Sequence, residues 1–266
     1  MAKVIVVGAG INGVTSAIEL KKRGHQVTLV DPGPLPHPLA ASTDISKAVR
    51  AAYGPDEDYT ALAERCIELW RKWNSEFGVE LYHETGVLFV CQHPMKPGDF
   101  EYESCRVLEK QGNRLERFDS FTFHERFPAF APDRFQDGFF DPDAGYVESG
   151  RVVATLVEHA KSIGVELCER AKFVALDEND DRVRGVVLDD RHRISADAVV
   201  IAADPKRSNL VISTGDCGHG LKFAPVLGEI TADALEAKPN PLLHKFRWRP
   251  EIKSGETKEA ARFAPN

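Results

Sequence analysis

The chain alternates between short apolar runs and longer amphipathic stretches. Residues 4–7 (VIVV) and 27–30 (VTLV) are apolar runs of strand length, and the stretch between them has the pattern of an amphipathic helix. Apolar runs this short, bounded by turn residues, predict buried strands. Tyr59–Phe77 carries Leu62, Cys66, Leu69, Trp70, Trp73 and Phe77 at helical spacing, which predicts a helix with its aromatic stripe in the core. Gly86–Cys91 reads as a buried strand and Asp99–Gln111 as a polar helix. Phe121–Phe130 holds a short helix ended by Pro128, and Phe139–Val147 holds two short strands around the turn at 141–145. Arg151–Ile163 is a helix with Ser149 as its N-cap and Gly164 as its stop. Strands follow near Glu166–Cys168, Lys172–Leu176, Arg182–Leu188 and Ala198–Ala202, with Asp189-Asp190 as a turn inside this β-meander. Asn209–Ser213 is a further strand, and a last helix runs from the turn Thr214–Gly220 to about Glu236. Asp31–Pro38 is a proline-rich loop, and Ser46–Ala52 is expected to form a short helical stretch. The remainder, Ala237–Asn266, is expected to wrap the surface or stay partly disordered.

The first three elements carry a chemical signature. Strand, glycine-rich turn, helix, strand and terminal acid follow one another across residues 4–31. That order fits a βαβ dinucleotide-binding unit. Gly8 permits the tight turn off the strand, Gly10 lets a pyrophosphate approach the backbone, and Gly13 lets the helix pack on the sheet. Ile11 and Asn12 open the helix, whose unpaired N–H groups and dipole favour an anion. Asp31 stands where a carboxylate can take a ribose hydroxyl. The expected cofactor contacts here are therefore Gly8, Gly10, Ile11, Asn12, Gly13 and Asp31.

Bulk properties narrow the partners. The 266 residues hold 34 Lys and Arg against 41 Asp and Glu, a net charge of −7. This balance argues against a nucleic-acid or anionic-membrane surface. No apolar run approaches the roughly 20 residues of a membrane helix. The N-terminus opens directly into a strand, unlike a signal peptide, and RFAPN at the C-terminus is no retention tripeptide. The five cysteines are scattered without metal-ligand spacing. The expected setting is the reducing cytoplasm, with mostly buried thiols.

Three later segments narrow the class. ASTDISKAVRAAYG (Ala41–Gly54) follows the proline-rich loop. DPDAGYVESGRVVATLVEHAKSIGVEL (Asp141–Leu167) precedes a meander ending in ADAVVIAA (Ala196–Ala203), and TGDCGHGLKFAPVLGEI (Thr214–Ile230) comes near the end. Together with the βαβ unit they resemble the FAD-dependent amine oxidases of the D-amino-acid-oxidase superfamily, above all the sarcosine oxidase and fructosyl amino acid oxidase branch. FRWRP (Phe246–Pro250) is similar to fungal fructosyl-type members. The resemblance implies an α/β fold: a Rossmann-type FAD-binding domain with a parallel central sheet and a β-meander, plus a substrate domain. It implies FAD held by Gly8, Gly10, Gly13 and Asp31, with Ser42 and Thr43 passing the pyrophosphate. Val174 would meet the adenine, and Ala202 and Ala203 would end a strand beside the cofactor. Gly218, His219 and Gly220 would line the flavin edge. Arg50 and Lys222 would bind the substrate carboxylate, and Lys47 and His219 would act in catalysis. The implied partners are a small amine or amino acid and oxygen, and the implied products are an imine and hydrogen peroxide.

The chain departs from this family at one place. Ala203 is followed at once by Asp204-Pro205-Lys206-Arg207-Ser208, where family members run into a glycine-containing turn and a long substrate-domain sheet. That stretch normally roofs the flavin. It also carries the lysine linked to oxygen activation and the cysteine that can hold the flavin. The expected organisation is an FAD-binding βαβ unit with following helices (1–80), a reduced substrate segment (81–148), the rest of the FAD-binding domain (149–236) and a tail (237–266). Two functional readings stand: an active FAD-dependent amine oxidase, or an FAD-binding remnant with impaired catalysis. A nicotinamide-dependent dehydrogenase is disfavoured, because no second nicotinamide-binding unit is visible.

Overall fold

A computed structural model describes residues 1–131, 134–179, 182–201, 210–211, 213 and 220–246. The chain opens with β1 (Lys3–Val7), α1 (Ile11–Lys22) and β2 (Gln26–Val30). Next come β3 (Lys47–Val49), α2 (Glu57–Phe77), β4 (Tyr82–His83), β5 (Val87–Cys91) and α3 (Phe100–Lys110). β6 (Glu116–Asp119), α4 (Ser120–Arg126), β7 (Asp137–Asp141), β8 (Gly145–Val147) and α5 (Ser149–Ser162) follow. The second half holds β9 (Glu166–Cys168), β10 (Phe173–Asn179), β11 (Arg182–Leu188), β12 (Arg193–Ser195), β13 (Ala198–Val200) and β14 (Leu210–Val211). One 3₁₀ turn (Leu221–Phe223), α6 (Ala224–Leu235) and α7 (Leu243–Phe246) complete the described elements.

The central sheet has the order β14-β13-β1-β2-β9, and every pair in it is parallel. Its strands are apolar on both faces because both faces are covered. Val4, Val6, Leu29 and Val200 join the core that holds α1, α5 and α6. Ile5, Val30, Val199 and Ile201 alternate to the other face and pack with Val183, Val186 and Leu188 of β11. That second layer is the antiparallel sheet β10-β11-β12, the expected meander. This is the α/β, Rossmann-type arrangement with a parallel sheet.

Two small helix contacts fix how closely the first layer packs. A methyl added at Gly13 would stand 1.7 Å from the Gly8 carbonyl oxygen, and one at Gly228 would stand 2.4 Å from that of Thr15. Thus α1 lies directly on its own glycine loop, and α6 lies on the backbone of α1. Arg23, at the end of α1, locks the pair by donating to Asp233 (2.6 Å) and Glu236 (2.7 Å).

Two further sheets, β3-β8-β4 and β5-β7-β6, are antiparallel and stand apart from the central one. Here the sequence reading needs correction. Ser46–Ala52 contains strand β3 and no helix, because Lys47, Ala48 and Val49 pair with Val147, Tyr146 and Gly145 of β8. A strand partner outweighs the weak local helical preference. Ser149 is the first residue of α5, and Glu148 occupies the cap position. The strands flanking the 141–145 turn belong to different sheets, β7 pairing with β5 and β6, and β8 with β3 and β4. The tail contributes α7; Arg247 to Asn266 lies outside the described residues.

Asp141 ends β7 with 1% exposure. Its Oδ1 accepts the Asp143 amide at 3.2 Å. Burial, with the neighbouring Asp143 charge adding to it, pushes the Asp141 carboxyl up from 3.8 to about 6. The folded state therefore holds this proton more tightly than the unfolded chain does. Its contribution to stability is intact below the unfolded value and is lost as pH rises through about 6. Asp141→Asn keeps an acceptor without the charge. Thermal melts should show the variant more stable than the parent at pH 8, by roughly 1–3 kcal/mol, and nearly equal to it at pH 4. Equal differences at both pH values would contradict this reading.

Candidate cofactor and substrate site

The site begins where β1 meets α1. Gly8 has φ +94°, a conformation open to glycine, and its amide donates to Val30 O at 2.8 Å. The Ala9 amide donates to Asp31 Oδ2 at 2.8 Å, and the Gly33 amide donates to Asp31 Oδ1 at 2.9 Å. Asp31 is buried at the tip of β2. Its carboxylate thus ties the glycine loop to the turn that follows β2, a role the sequence reading did not foresee. Each carboxylate oxygen keeps a second acceptor site for a ribose hydroxyl. The segment before β10 closes on the same turn: Ala171 N donates to Asp31 O at 2.9 Å and Arg170 N donates to Gly33 O at 3.1 Å.

The loop presents main-chain donors. Ser42 is buried and its Oγ accepts the Ile11 amide at 3.1 Å. Val14 N donates back to Gly10 O at 3.0 Å. Among the described residues, the amides of Gly10, Asn12 and Gly13 find no acceptor. The buried Asn12 Oδ1 likewise finds no donor there. Thr43 supports the loop from behind, its Oγ1 shared between His37 O and Ala40 O, both at 2.8 Å. Open amides on a glycine loop at a helix N-terminus form a cradle suited to a diphosphate.

Val174 lies on β10 at a break in register. Phe173 pairs with Leu188 and Ala175 with Val187, so Val174 has no cross-strand partner. Its backbone is released from the ladder close to the Asp31 turn, and a bulge of this kind can pair with a base edge. Diphosphate cradle, acid and bulged strand lie in the order that a dinucleotide's parts require, and these residues fit FAD.

The expected substrate residues Arg50 and Lys222 meet at a second place. Arg50 follows β3, and its guanidinium donates to Ala52 O. Its Cζ lies 5.2 Å from the ring centre of Tyr53 and 5.7 Å from that of Phe100. Lys222 is 4% exposed, and its Nζ lies 5.2 Å from the same Tyr53 ring. The two cations predicted to act together share one aromatic ring. Trp70 fixes the lysine backbone by donating Nε1 to Lys222 O at 2.9 Å. Tyr53 stacks on Tyr59 at 5.4 Å and lies 5.9 Å from Phe223. Phe223 also lines a cleft of about 120 Å³ with Asn12, Gly220 and Phe246. This cleft joins the aromatic group to the first turn of α1. Tyr53, Phe100 and Phe223 were missed by the sequence reading. The only signal was that Tyr53 sits three residues after Arg50.

Lys47 is brought to a different partner. It forms an ion pair with Asp44. Partial burial works to raise the Asp44 carboxyl, but bonds from Lys47 and Ser149 outweigh it and hold the carboxyl below its usual range. Ala202, Ala203, Gly218 and His219 lie outside the described residues.

Residues 3–207 match the family described as FAD dependent oxidoreductase. Peroxisomal sarcosine oxidase of Mus musculus is 28% identical over 172 residues, covering 65% of this chain and 43% of its own. Monomeric sarcosine oxidase of Bacillus sp. (strain B-0618) is 26% identical over 181 residues, covering 68% and 46%. N-methyl-L-tryptophan oxidase of Yersinia pestis is 26% identical over 200 residues, covering 75% and 52%. The chain spans about half the length of these curated relatives. In fold, a modified fructosyl peptide oxidase from Aspergillus nidulans superposes with a TM-score of 0.82 at 16% identity, covering 99% of this chain and 97% of that one. Glycine oxidase from Bacillus cereus gives 0.74 at 15% identity, covering 94% and 99%.

The cradle makes two glycines separable by experiment. A methyl at Gly10 would meet Ser42 Oγ at 3.3 Å, which a small shift relieves. Gly10→Ala should keep its melting temperature within about 3 °C, yet weaken FAD binding by more than about tenfold through crowding the open amides. Gly13→Ala, with its clash against the Gly8 carbonyl, should instead destabilise the fold by roughly 3 kcal/mol or more. Calorimetry and FAD fluorescence titration check the pair.

Proposed function

The chain belongs to the FAD dependent oxidoreductase family, and on that premise we propose that it oxidises a secondary amine or N-substituted amino acid, with oxygen as the final acceptor. One observation carries the substrate class: Arg50 and Lys222, from distant parts of the sequence, lie on one aromatic ring beside the cleft that reaches α1. Two cations held on a partly dry aromatic surface suit a carboxylate. FAD, when bound, supplies the two-electron acceptor for the carbon next to the amine nitrogen, and hydrogen peroxide is the expected reduced-oxygen product.

The chain's own residues bind and orient. Asp31 keeps the glycine loop shaped for the diphosphate, and the open amides of Gly10, Asn12 and Gly13 receive it. Val174 offers its unpaired backbone to the adenine. Arg50 and Lys222 grip the acid of the substrate, which fixes the amine and its α-carbon relative to the cofactor. Tyr53, Tyr59 and Phe223 exclude water from the grip and so strengthen it. Lys47, balanced by Asp44, remains the proposed catalytic cation on β3.

Binding of FAD without turnover is the second reading. It is favoured by Asp204-Pro205-Lys206-Arg207-Ser208 following Ala203 at once, where the resemblance implies a long substrate-domain sheet. Anaerobic addition of sarcosine, N-methyl amino acids, pipecolate or fructosyl-valine to the FAD-loaded protein separates the two. Bleaching of the visible flavin bands, with peroxide formed on readmitting air, supports the oxidase; bound FAD with no bleaching by any of them supports the second. For an amine that bleaches the flavin, Arg50→Gln and Lys222→Gln should each raise KM at least about tenfold, while an analogue lacking the carboxylate loses that sensitivity. Unchanged KM in both variants would refute the carboxylate grip.

A further inference from the structure

Arg50 and Lys222 are like charges that share one neighbourhood. Left to themselves, such groups repel and turn toward water. Among the contacts that hold these two is a shared ring. Both cations lie 5.2 Å from the centre of the Tyr53 ring, within the range where the negative π-face attracts a cation. Phe100, at the start of α3, adds a second ring 5.7 Å from the Arg50 guanidinium. Phe223 adds one 5.9 Å from the Lys222 ammonium.

The placement of these rings is built in. Gly54 follows Tyr53 with φ +61°, and a methyl there would stand 3.2 Å from the Phe100 ring. The Gly54 amide donates to Ser104 Oγ at 2.8 Å, which pins the Tyr53–Gly54 turn to α3. Ser104 is fully buried. Phe100 lies one helical turn earlier on α3, so the same helix seats both the turn and the ring. On the other side, Tyr53 stacks on Tyr59 of α2.

We propose that Tyr53 and Phe100 are positioning residues for the substrate carboxylate: Tyr53 holds Arg50 and Lys222 together before ligand arrives, and Phe100 fixes Arg50 from α3. This rests on the carboxylate grip described above. Preassembly means that a carboxylate meets two aligned cations and need not gather them. It predicts an effect on affinity that depends on the ring and not on the phenol oxygen, because the π-face is common to Tyr and Phe.

The test uses the FAD-saturated protein, with acetate as the probe and calorimetry as the readout. Tyr53→Leu should weaken acetate about tenfold. Tyr53→Phe should restore most of that loss. With an amine substrate, Tyr53→Leu should raise KM far more than it lowers kcat, and FAD affinity should not move. Phe100→Leu should weaken acetate by a smaller factor, and that loss should vanish in the Arg50→Gln background but persist in the Lys222→Gln background. If Tyr53→Leu fails to fold, the Phe100→Leu cycle carries the test alone. Acetate affinity unchanged in folded Tyr53→Leu or in Phe100→Leu would overturn the proposal, as would a Phe100→Leu loss that persists without Arg50. If Arg50→Gln and Lys222→Gln themselves leave acetate binding unchanged, the grip is wrong. If they weaken it and the ring variants do not, the grip stands and only the positioning role falls.

Discussion

The carboxylate of Asp31 is the tie on which the rest depends. It sits at the tip of the second strand, buried, and accepts one amide from the glycine loop and one from the turn at Gly33. A buried charge is stable only with such partners. The carboxylate joins the loop over α1 to the start of the proline-rich segment, and the main-chain carbonyls of Asp31 and Gly33 add the approach to β10. Every feature fitted to the dinucleotide lies along these joined segments: the open amides, the acid and the bulge at Val174. The same carboxylate that can meet a ribose also shapes the loop for the diphosphate. At Asp31 the fold and the proposed cofactor site share one carboxylate.

Much of this was legible in the sequence, and the reason is physical. The βαβ unit is written in local terms, with apolar runs of strand length, glycines where backbones touch and an acid at the strand tip. Gly13 illustrates it, since only hydrogen fits against the Gly8 carbonyl. The meander followed from strands bounded by turn residues, and the parallel central sheet was what the family resemblance implied. Ser46–Ala52 was misread because its strand character depends on β8, nearly a hundred residues away. The Ser149 cap was misplaced by one residue for a simpler reason: helix ends are set by backbone geometry that side-chain preference only biases.

The substrate side shows a different balance. Family resemblance named Arg50 and Lys222 as a pair, and the structure brings them onto one ring. The ring itself was not legible. An aromatic residue among apolar neighbours gives no sign, in one sequence, that it will receive charges from two distant segments. The rings of Tyr53, Tyr59, Phe223 and Phe246 form a continuous aromatic group beside the cleft. Two of its rings, Tyr53 and Phe223, lie against the buried Lys222 ammonium.

The most direct measurement is equilibrium FAD binding by the parent chain and by Asp31→Asn, followed through the visible flavin spectrum. The amide side chain has one acceptor where two N–H groups need acceptors, so the loop should lose its shape. The account predicts one FAD bound per chain with a perturbed flavin spectrum, and binding weakened by about a hundredfold or more in Asp31→Asn. A parent chain that leaves FAD free, or an Asp31→Asn variant that binds it equally well, would contradict the account.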